Sequence, residues 1–252
     1  MLNSDYLLNL NEKQQEAVLH LDGPLLIVAG AGSGKTKVLT SRIAHIIKSH
    51  KAFSNQILAV TFTNKAAKEM RTRLESLIGP SANSVWLGTF HSIAARILRE
   101  NAEVVGLNSN YTIITPDDQI RLLKQIMIDQ DIDIKKFTPK VMSNLISSWK
   151  DKGFKPDDIN QSDNDFFANG KAINIYKTYQ SRLVTLNSAD FGDLLLYNLT
   201  IFSEHSDILQ KYQSKILFFL VDEYQDTNRT QYLWLKLFAN KSQNICCVGD
   251  DD

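Results

Sequence analysis

The chain alternates short apolar runs with longer stretches in which apolar positions recur every three or four residues. Leu25-Leu26-Ile27-Val28-Ala29 is continuously apolar and predicts a strand buried on both faces. After it, Val38, Leu39, Ile43, Ile46 and Ile47 fall at helical spacing, which predicts a helix over 35–48. Ile57-Leu58-Ala59-Val60-Thr61 precedes a helical pattern over 64–78, and Val85-Trp86-Leu87-Gly88-Thr89 precedes another over 90–101. Three strand–helix units in succession predict an α/β fold, a parallel sheet with covering helices.

The pattern changes near residue 106. From Tyr111 to His205 it is mainly helical, with helices predicted over 117–129, 172–186 and 191–202. Residues 152–170 carry Gly153, Pro156 and repeated Asp and Asn, and read as a loop. Strand character returns over 216–221 and 244–248. The simplest organisation is one α/β domain built from 1–105 and 206–252, interrupted by a mainly helical inserted domain over 106–205. An insertion of about 100 residues is large enough to be a domain of its own. Val248-Gly249-Asp250-Asp251-Asp252 meets an acidic loop without a closing helix, so the α/β domain is expected to be incomplete at its C-terminal end.

Composition narrows the class only modestly. With 252 residues, 43% hydrophobic and 22% charged, the chain can bury a real core and is neither disordered nor fibrous. Its 28 basic and 28 acidic residues balance, so any nucleic acid must be held in a local groove rather than by a global basic field. Cys246 and Cys247 stand together in an apolar stretch and read as small core residues of a reduced protein, not as a disulfide framework or metal site. The N-terminus shows no secretory pattern, and the apolar runs fall far short of the ~20 residues of a membrane span. A cytoplasmic setting without membrane association is expected.

The chemistry lies at the strand ends. Ala29-Gly30-Ala31-Gly32-Ser33-Gly34-Lys35-Thr36 joins the first strand to its helix. Glycines there permit positive φ and let backbone N–H groups approach an anion, while the helix start adds unpaired donors and partial positive charge. Lys35 can then reach the β/γ-phosphates of a nucleoside triphosphate, and the Thr36 hydroxyl can hold Mg²⁺. Ala29 stands where the usual pattern has its first Gly, at the strand end rather than in the cradle. A plain glycine-rich turn would not require Gly-Lys-Thr between an apolar strand and a helix. The run 215–221 ends in Asp222-Glu223. Asp222 is a candidate ligand for Mg²⁺ and Glu223 a candidate catalytic base for water. A solvated acidic loop is the alternative, made less attractive by the phosphate loop. ATP and Mg²⁺ are the expected cofactors.

These motifs, with others in order along the chain, resemble the UvrD/Rep/PcrA group of superfamily 1 DNA helicases. Leu10-Asn11-Glu12-Lys13-Gln14-Gln15-Glu16-Ala17-Val18 is similar to the group's adenine-reading segment, which implies Gln14 as a nucleotide contact; the residues alone favour a surface Gln on an amphipathic helix, because exposed Gln is commonplace. Thr61-Phe62-Thr63-Asn64-Lys65 and Gly88-Thr89-Phe90-His91-Ser92 resemble segments that touch single-stranded DNA. The resemblance implies DNA contacts by Phe62, Thr63, Asn64, Thr89, Phe90 and His91, although a Phe after a strand is more often core. Asp222-Glu223-Tyr224-Gln225-Asp226 is more distinctive, and implies that Gln225 links nucleotide state to DNA. Asn187-Ser188-Ala189-Asp190-Phe191-Gly192-Asp193 also resembles a group motif. It reads as structural, a helix start capped by Ser188 with early acids against the dipole.

The resemblance implies a RecA-like phosphate-loop NTPase sheet and the N-terminal segment of an ATP-dependent 3′–5′ DNA helicase. A second motor domain, normally supplied in cis, would carry the arginines that complete the ATP site. Two other readings stand beside it: an ATP- and single-stranded-DNA-binding module without motor activity, and part of a RecB-like helicase–nuclease subunit.

Overall fold

The computed structural model describes residues 6–30, 32–160 and 167–250. They group into two compact units: one is formed by Met1–Ile93, His205–Thr227 and Leu235–Asp252, the other by Ala94–Glu204 and Asn228–Trp234.

The first unit is built on five parallel strands, β1 (Leu25–Val28), β2 (Ile57–Thr61), β3 (Trp86–Thr89), β6 (Phe218–Val221) and β7 (Ile245–Gly249), in the order β1-β7-β6-β2-β3. The fold class is therefore α/β with a parallel sheet, as the alternation of strand and helix patterns predicts. Helices α1 (Glu12–Leu19), α2 (Lys35–Lys48), α3 (Asn64–Ile78) and α9 (Ser206–Lys215) belong to the same unit. Every residue of β2 is buried, which its unbroken apolar run requires of a strand with neighbours on both sides. β1 departs from expectation. Its only described neighbour is β7, and its burial alternates, with Leu26 61% and Val28 54% exposed. An apolar run by itself cannot distinguish a central strand from one at the edge of the described sheet. The core joins Val38, Leu39 and Ile43 of α2 to Ile57 and Ala59 of β2, Leu220 of β6 and Val248 of β7. Cys246 and Cys247 are buried free thiols, and burial pushes them up to about 11 and about 12.

Two polar devices fix α1, on which Gln14 lies. Asn11 caps the helix, accepting from the Gln14 N–H at 2.9 Å, while Gln14 Oε1 accepts from the Asn11 N–H at 3.0 Å. At the other end the buried Arg42 guanidinium donates to Ala17 O at 2.6 Å and to His20 O, satisfying carbonyls that the helix leaves without partners.

The second unit contains α5 (Pro116–Asp129), α6 (Pro139–Asp151), α7 (Ala172–Thr185), α8 (Phe191–Glu204) and a short parallel pair, β4 (Thr112–Ile113) with β5 (Ser188–Ala189). α4 (Phe90–Glu100) and α10 (Arg229–Ala239) each contribute residues to both units. Thr115 and Thr138, each followed by Pro, cap α5 and α6. Leu123, Ile126, Met142, Ile146, Ile175 and Tyr176 pack in its core, with Trp149 stacked on Tyr176 at 5.8 Å. Within the predicted loop 152–170 the described residues form two 3-10 turns, Pro156–Asp158 and Ala168–Gly170.

The start of α8 corrects the sequence reading. Asp190, not Ser188, is its cap: Asp190 Oδ1 accepts from the Asp193 N–H at 2.9 Å, and Asp193 Oδ2 accepts from the Asp190 N–H at 3.0 Å. Ser188 lies in β5 and donates to Leu186 O. Both carboxylates are buried around the Lys150 ammonium, at 2.7 and 2.6 Å. Burial pushes the Asp193 carboxyl up to about 6, aided by the Asp190 charge. Asp190 also suffers burial, but the Lys150 charge and hydrogen bond, with the Asp193 N–H and Tyr179 hydroxyl, hold it below its ordinary value. An acid raised in the folded state holds more protons folded than unfolded between its two pKa values. The Asp193 contribution to stability therefore falls as pH rises from about 4 to about 6. A carbon-detected carboxyl titration is expected to place the Asp193 midpoint near pH 6; a midpoint below pH 4 would mean that Lys150 satisfies both carboxylates fully.

Candidate active site

The carboxyl ends of the five strands bring together residues far apart in sequence. In the register of the sheet Val28 lies beside Gly249, Val221 beside Cys247, Val60 beside Val221, and Thr61 beside Thr89. The loop 29–34, the acidic pair 222–223 and the segments after β2 and β3 therefore leave the sheet along one edge. Parallel α/β sheets place ligands along such an edge.

The loop takes the conformations that its glycines permit. Gly32 and Gly34 have φ of +75° and +87°, and a Cβ on Gly34 would come 3.2 Å from Gln14 Nε2. Gln14 Nε2 donates to Ser33 O at 2.9 Å, tying α1 to the loop. Both polar groups of Gln14 are thus engaged, yet its amide keeps one N–H and one lone pair for a further partner. Gln14, Ile27, Ala29, Ser33, Lys35 and Val38 are among the residues lining a cleft of about 190 Å³. Gly30 joins this loop to the end of β1, and Ala31 lies outside the described residues.

Lys35 and Thr36 open α2. The Lys35 ammonium is buried and donates to Ala29 O at 2.7 Å, to Gly30 O at 3.2 Å and to the Asp250 carboxylate. The Thr36 hydroxyl donates to Asp222 Oδ2 at 3.2 Å. Asp222 Oδ1 is buried with no hydrogen-bond partner among the described residues. Burial, then the Glu223 charge, raises the Asp222 carboxyl despite the Thr36 hydrogen bond. A carboxylate oxygen left with a lone pair beside a hydroxyl matches what Mg²⁺ takes from a protein: one or two hard oxygen donors, the rest coming from water and phosphate. Among the described residues no cluster of three or more His, Cys, Asp or Glu forms a closed metal cage.

Glu223 has left-handed backbone, at φ 51° and ψ 49°, as have six other non-glycine residues among those described. Its carboxylate accepts from Gln225 Nε2 at 2.8 Å, and Gln225 Oε1 accepts from the Asp250 N–H at 3.1 Å. A non-glycine residue held in the left-handed region stores strain of order 1–3 kcal/mol and is commonest at functional sites. Asp250 is a further participant, to which the sequence alone assigns no role in the site. Its position after β7, the strand between β1 and β6, is visible only once strand order is known. Asp251 and Asp252 lie outside the described residues.

The segments after β2 and β3 sit side by side, and each starts a helix. Thr63 caps α3 by accepting from the Ala66 N–H at 3.1 Å, with Asn64 as the first helical residue; Thr89 accepts from the Ser92 N–H at 3.2 Å ahead of α4. Thr63 and Asn64 are exposed, and Phe62, Thr89 and His91 half-buried. Phe90 is only 1% exposed and meets the Phe62 ring edge-on at 5.5 Å. Its ring supports Phe62 rather than offering a face of its own.

The match to known proteins follows this layout along the chain. Residues 10–252 match the family described as "UvrD/REP helicase N-terminal domain". A probable DNA helicase II homolog of Rickettsia conorii is 53% identical over all of this chain, which covers 39% of that protein. The ATP-dependent DNA helicase PcrA of Staphylococcus epidermidis is 46% identical over 97% of the chain and 33% of its own length. PcrA of Bacillus subtilis is 42% identical over the whole chain and 34% of its own length. The chain thus spans between a third and two fifths of these relatives. With a parallel sheet that gathers the phosphate loop, the acidic pair and two Thr-capped helix starts at one edge, and a match over nearly its full length, the chain belongs to the UvrD/REP helicase N-terminal domain family.

Proposed function

We propose that this chain binds Mg²⁺·ATP and single-stranded DNA as the N-terminal part of a DNA helicase that hydrolyses ATP to move 3′ to 5′ along one strand and unwind duplex. The observation that carries the reading is the Thr36 hydroxyl within 3.2 Å of the buried Asp222 carboxylate, beside the Lys35 ammonium. Three groups that a nucleoside triphosphate needs converge there from two separate loops. The backbone N–H groups of Gly32, Ser33 and Gly34 and the α2 N-terminus cradle the phosphates, and Lys35 neutralises them. Thr36 and Asp222 are the donors for Mg²⁺, which when bound supplies charge neutralisation of the phosphates. Glu223 orients a water and takes its proton, and the remaining amide N–H and lone pair of Gln14 suit the edge of adenine.

For DNA, the adjacent starts of α3 and α4 present N–H groups and the Thr63 and Asn64 side chains to phosphates. Phe62 stacks on a base, and Thr89 and His91 line the same track without reading sequence. The second unit is read as a domain inserted into the motor domain. The names of the relatives, ATP-dependent DNA helicase PcrA and probable DNA helicase II homolog, agree with this assignment.

Calorimetry of ATP binding tests the phosphate loop. Lys35→Ala removes a charge-assisted contact worth roughly 1.5–3 kcal/mol, so affinity is expected to fall by about 10- to 100-fold. Equal affinity in the two proteins would sink the assignment.

A further inference from the structure

We propose that Arg42 is a positioning residue for base recognition: from α2 it holds the C-terminal end of α1, so that Gln14 keeps its free amide edge toward the base of a nucleotide whose phosphates bind at Lys35. This rests on the reading above that Gln14 contacts the base and Lys35 the phosphates.

α1 has little of its own to hold it. It is 8 residues long, and Val18 is its one buried residue. Isolated helices shorter than ~12–15 residues are marginal in water. Near its start it is tied to the phosphate loop, Gln14 Nε2 donating to Ser33 O at 2.9 Å. One tie fixes a point but leaves the helix free to pivot about it. Arg42 supplies the second tie, donating to Ala17 O at 2.6 Å and to His20 O. Both carbonyls lie beyond Gln14, at the end of α1 where the helix dipole is negative, so a guanidinium is favoured there even though it is only 1% exposed.

The other end of this clamp is rigid. Val38, Leu39, Ile43, Ala44 and Ile46 bury α2 in the core of its unit. Lys35 opens that helix, and Arg42 follows about two turns later, ~10 Å along the same face. One helix therefore carries both the phosphate ligand and the anchor of the base-reading helix, which sets the separation between them. The amide edge of Gln14 needs this, because hydrogen bonds weaken steeply once donor and acceptor are misaligned. A tilt of α1 would cost the base contact and leave the backbone N–H groups of Gly32, Ser33 and Gly34 where they are. A residue that only kept the sheet intact would weaken phosphate and base binding alike.

The test is calorimetric titration of ATP, ITP and tripolyphosphate, each with Mg²⁺, into wild type, Arg42→Met, Gln14→Ala and the double variant. Met keeps the apolar stem in the core and removes the donors. Arg42→Met is expected to lose about tenfold of the preference for ATP over ITP, to bind tripolyphosphate within about twofold of wild type, and to add no further loss in the Gln14→Ala background. Equal losses for all three ligands would make Arg42 a support of the phosphate loop and overturn the proposal, as would an undiminished preference for ATP. Wild-type preference in Gln14→Ala would bring down the base contact itself and the proposal with it. Wild-type tripolyphosphate affinity in Lys35→Ala would instead bring down the phosphate-loop reading. Amide exchange of the wild-type protein without nucleotide gives a reading that needs no variant. Amides 16–20 should be protected to within about tenfold of those of α2, because two clamped helices open together. Exchange there at nearly the rate of a free peptide would show that Arg42 holds nothing, and would overturn the proposal.

Discussion

Replacing Glu223 with Gln is expected to leave ATP binding within about twofold of wild type and to lower turnover by about 10²- to 10⁴-fold, the usual worth of a general base. The asymmetry follows from where the groups sit. Phosphate and metal affinity are assigned to Lys35, Thr36 and Asp222, and the Thr36–Asp222 contact at 3.2 Å does not involve Glu223. Glu223 is half-buried at the next position, and its carboxylate is paired with Gln225 at 2.8 Å. Gln has the same length and can keep that contact, but it cannot accept a proton from water. Binding is read by calorimetry, and turnover with oligo-dT under single-turnover conditions with protein in excess. Turnover within about threefold of wild type would remove Glu223 from the role of base. A matching loss of affinity would mean that Glu223 belongs to the metal site with Asp222.

The residues that sequence reading found were those whose chemistry depends on local spacing. Gly32, Gly34, Lys35 and Thr36 lie in one turn, and a glycine rule with a strand before and a helix after is sufficient to place them. Asp222 and Glu223 were legible for the same reason, being the polar end of an apolar run. Long-range order was not legible. Nothing local to β1 distinguishes an edge strand from a central one, so its alternating exposure was missed. Asp250 gains meaning only from the strand order that sets β7 between β1 and β6. Phe62 and Phe90 look alike in sequence, one half-buried and the other buried beneath it, because packing decides which ring is covered. α6 falls within the stretch that reads as mainly helical, and Thr138-Pro139 followed by Val141, Met142, Leu145, Ile146 and Trp149 is the local signal that marks its start and its apolar face.

Lys150 is the residue whose burial the sequence concealed, and its removal is expected to be the costliest change for stability. In sequence it looks like any surface lysine at the end of a helix, yet it is only 1% exposed and its ammonium lies 2.7 Å from Asp190 and 2.6 Å from Asp193. It also sits above the rings of Tyr176 and Tyr179, at 5.6 and 5.3 Å from their centroids. The Tyr179 hydroxyl donates to Asp190 and Gln180 Nε2 to Asp193, so the two acids have polar partners but a single cation between them. A Cβ on Gly192 would meet the Lys150 stem at 2.8 Å, so the backbone closes tightly around this side chain.

Lys150→Ala would strand a buried carboxylate and is expected to destabilise the second unit by about 3–5 kcal/mol. Lys150→Met keeps most of the stem, and the loss it retains is the ionic part. The cost carries a sign in pH. Without the ammonium both acids lie above their ordinary values in the folded state, so protonation relieves the penalty at low pH and the deficit grows toward neutrality. Amide exchange in α6 and α7 at pH 5 and pH 7.5 reads this directly for the unit concerned. A deficit under 1 kcal/mol in Lys150→Met at pH 7.5 would mean that Tyr179, Gln180 and the reciprocal N–H bonds carry the acids unaided. A deficit that shrinks on adding Asp193→Asn would confirm that the lysine's main work is to neutralise that carboxylate, the one that burial already pushes up to about 6.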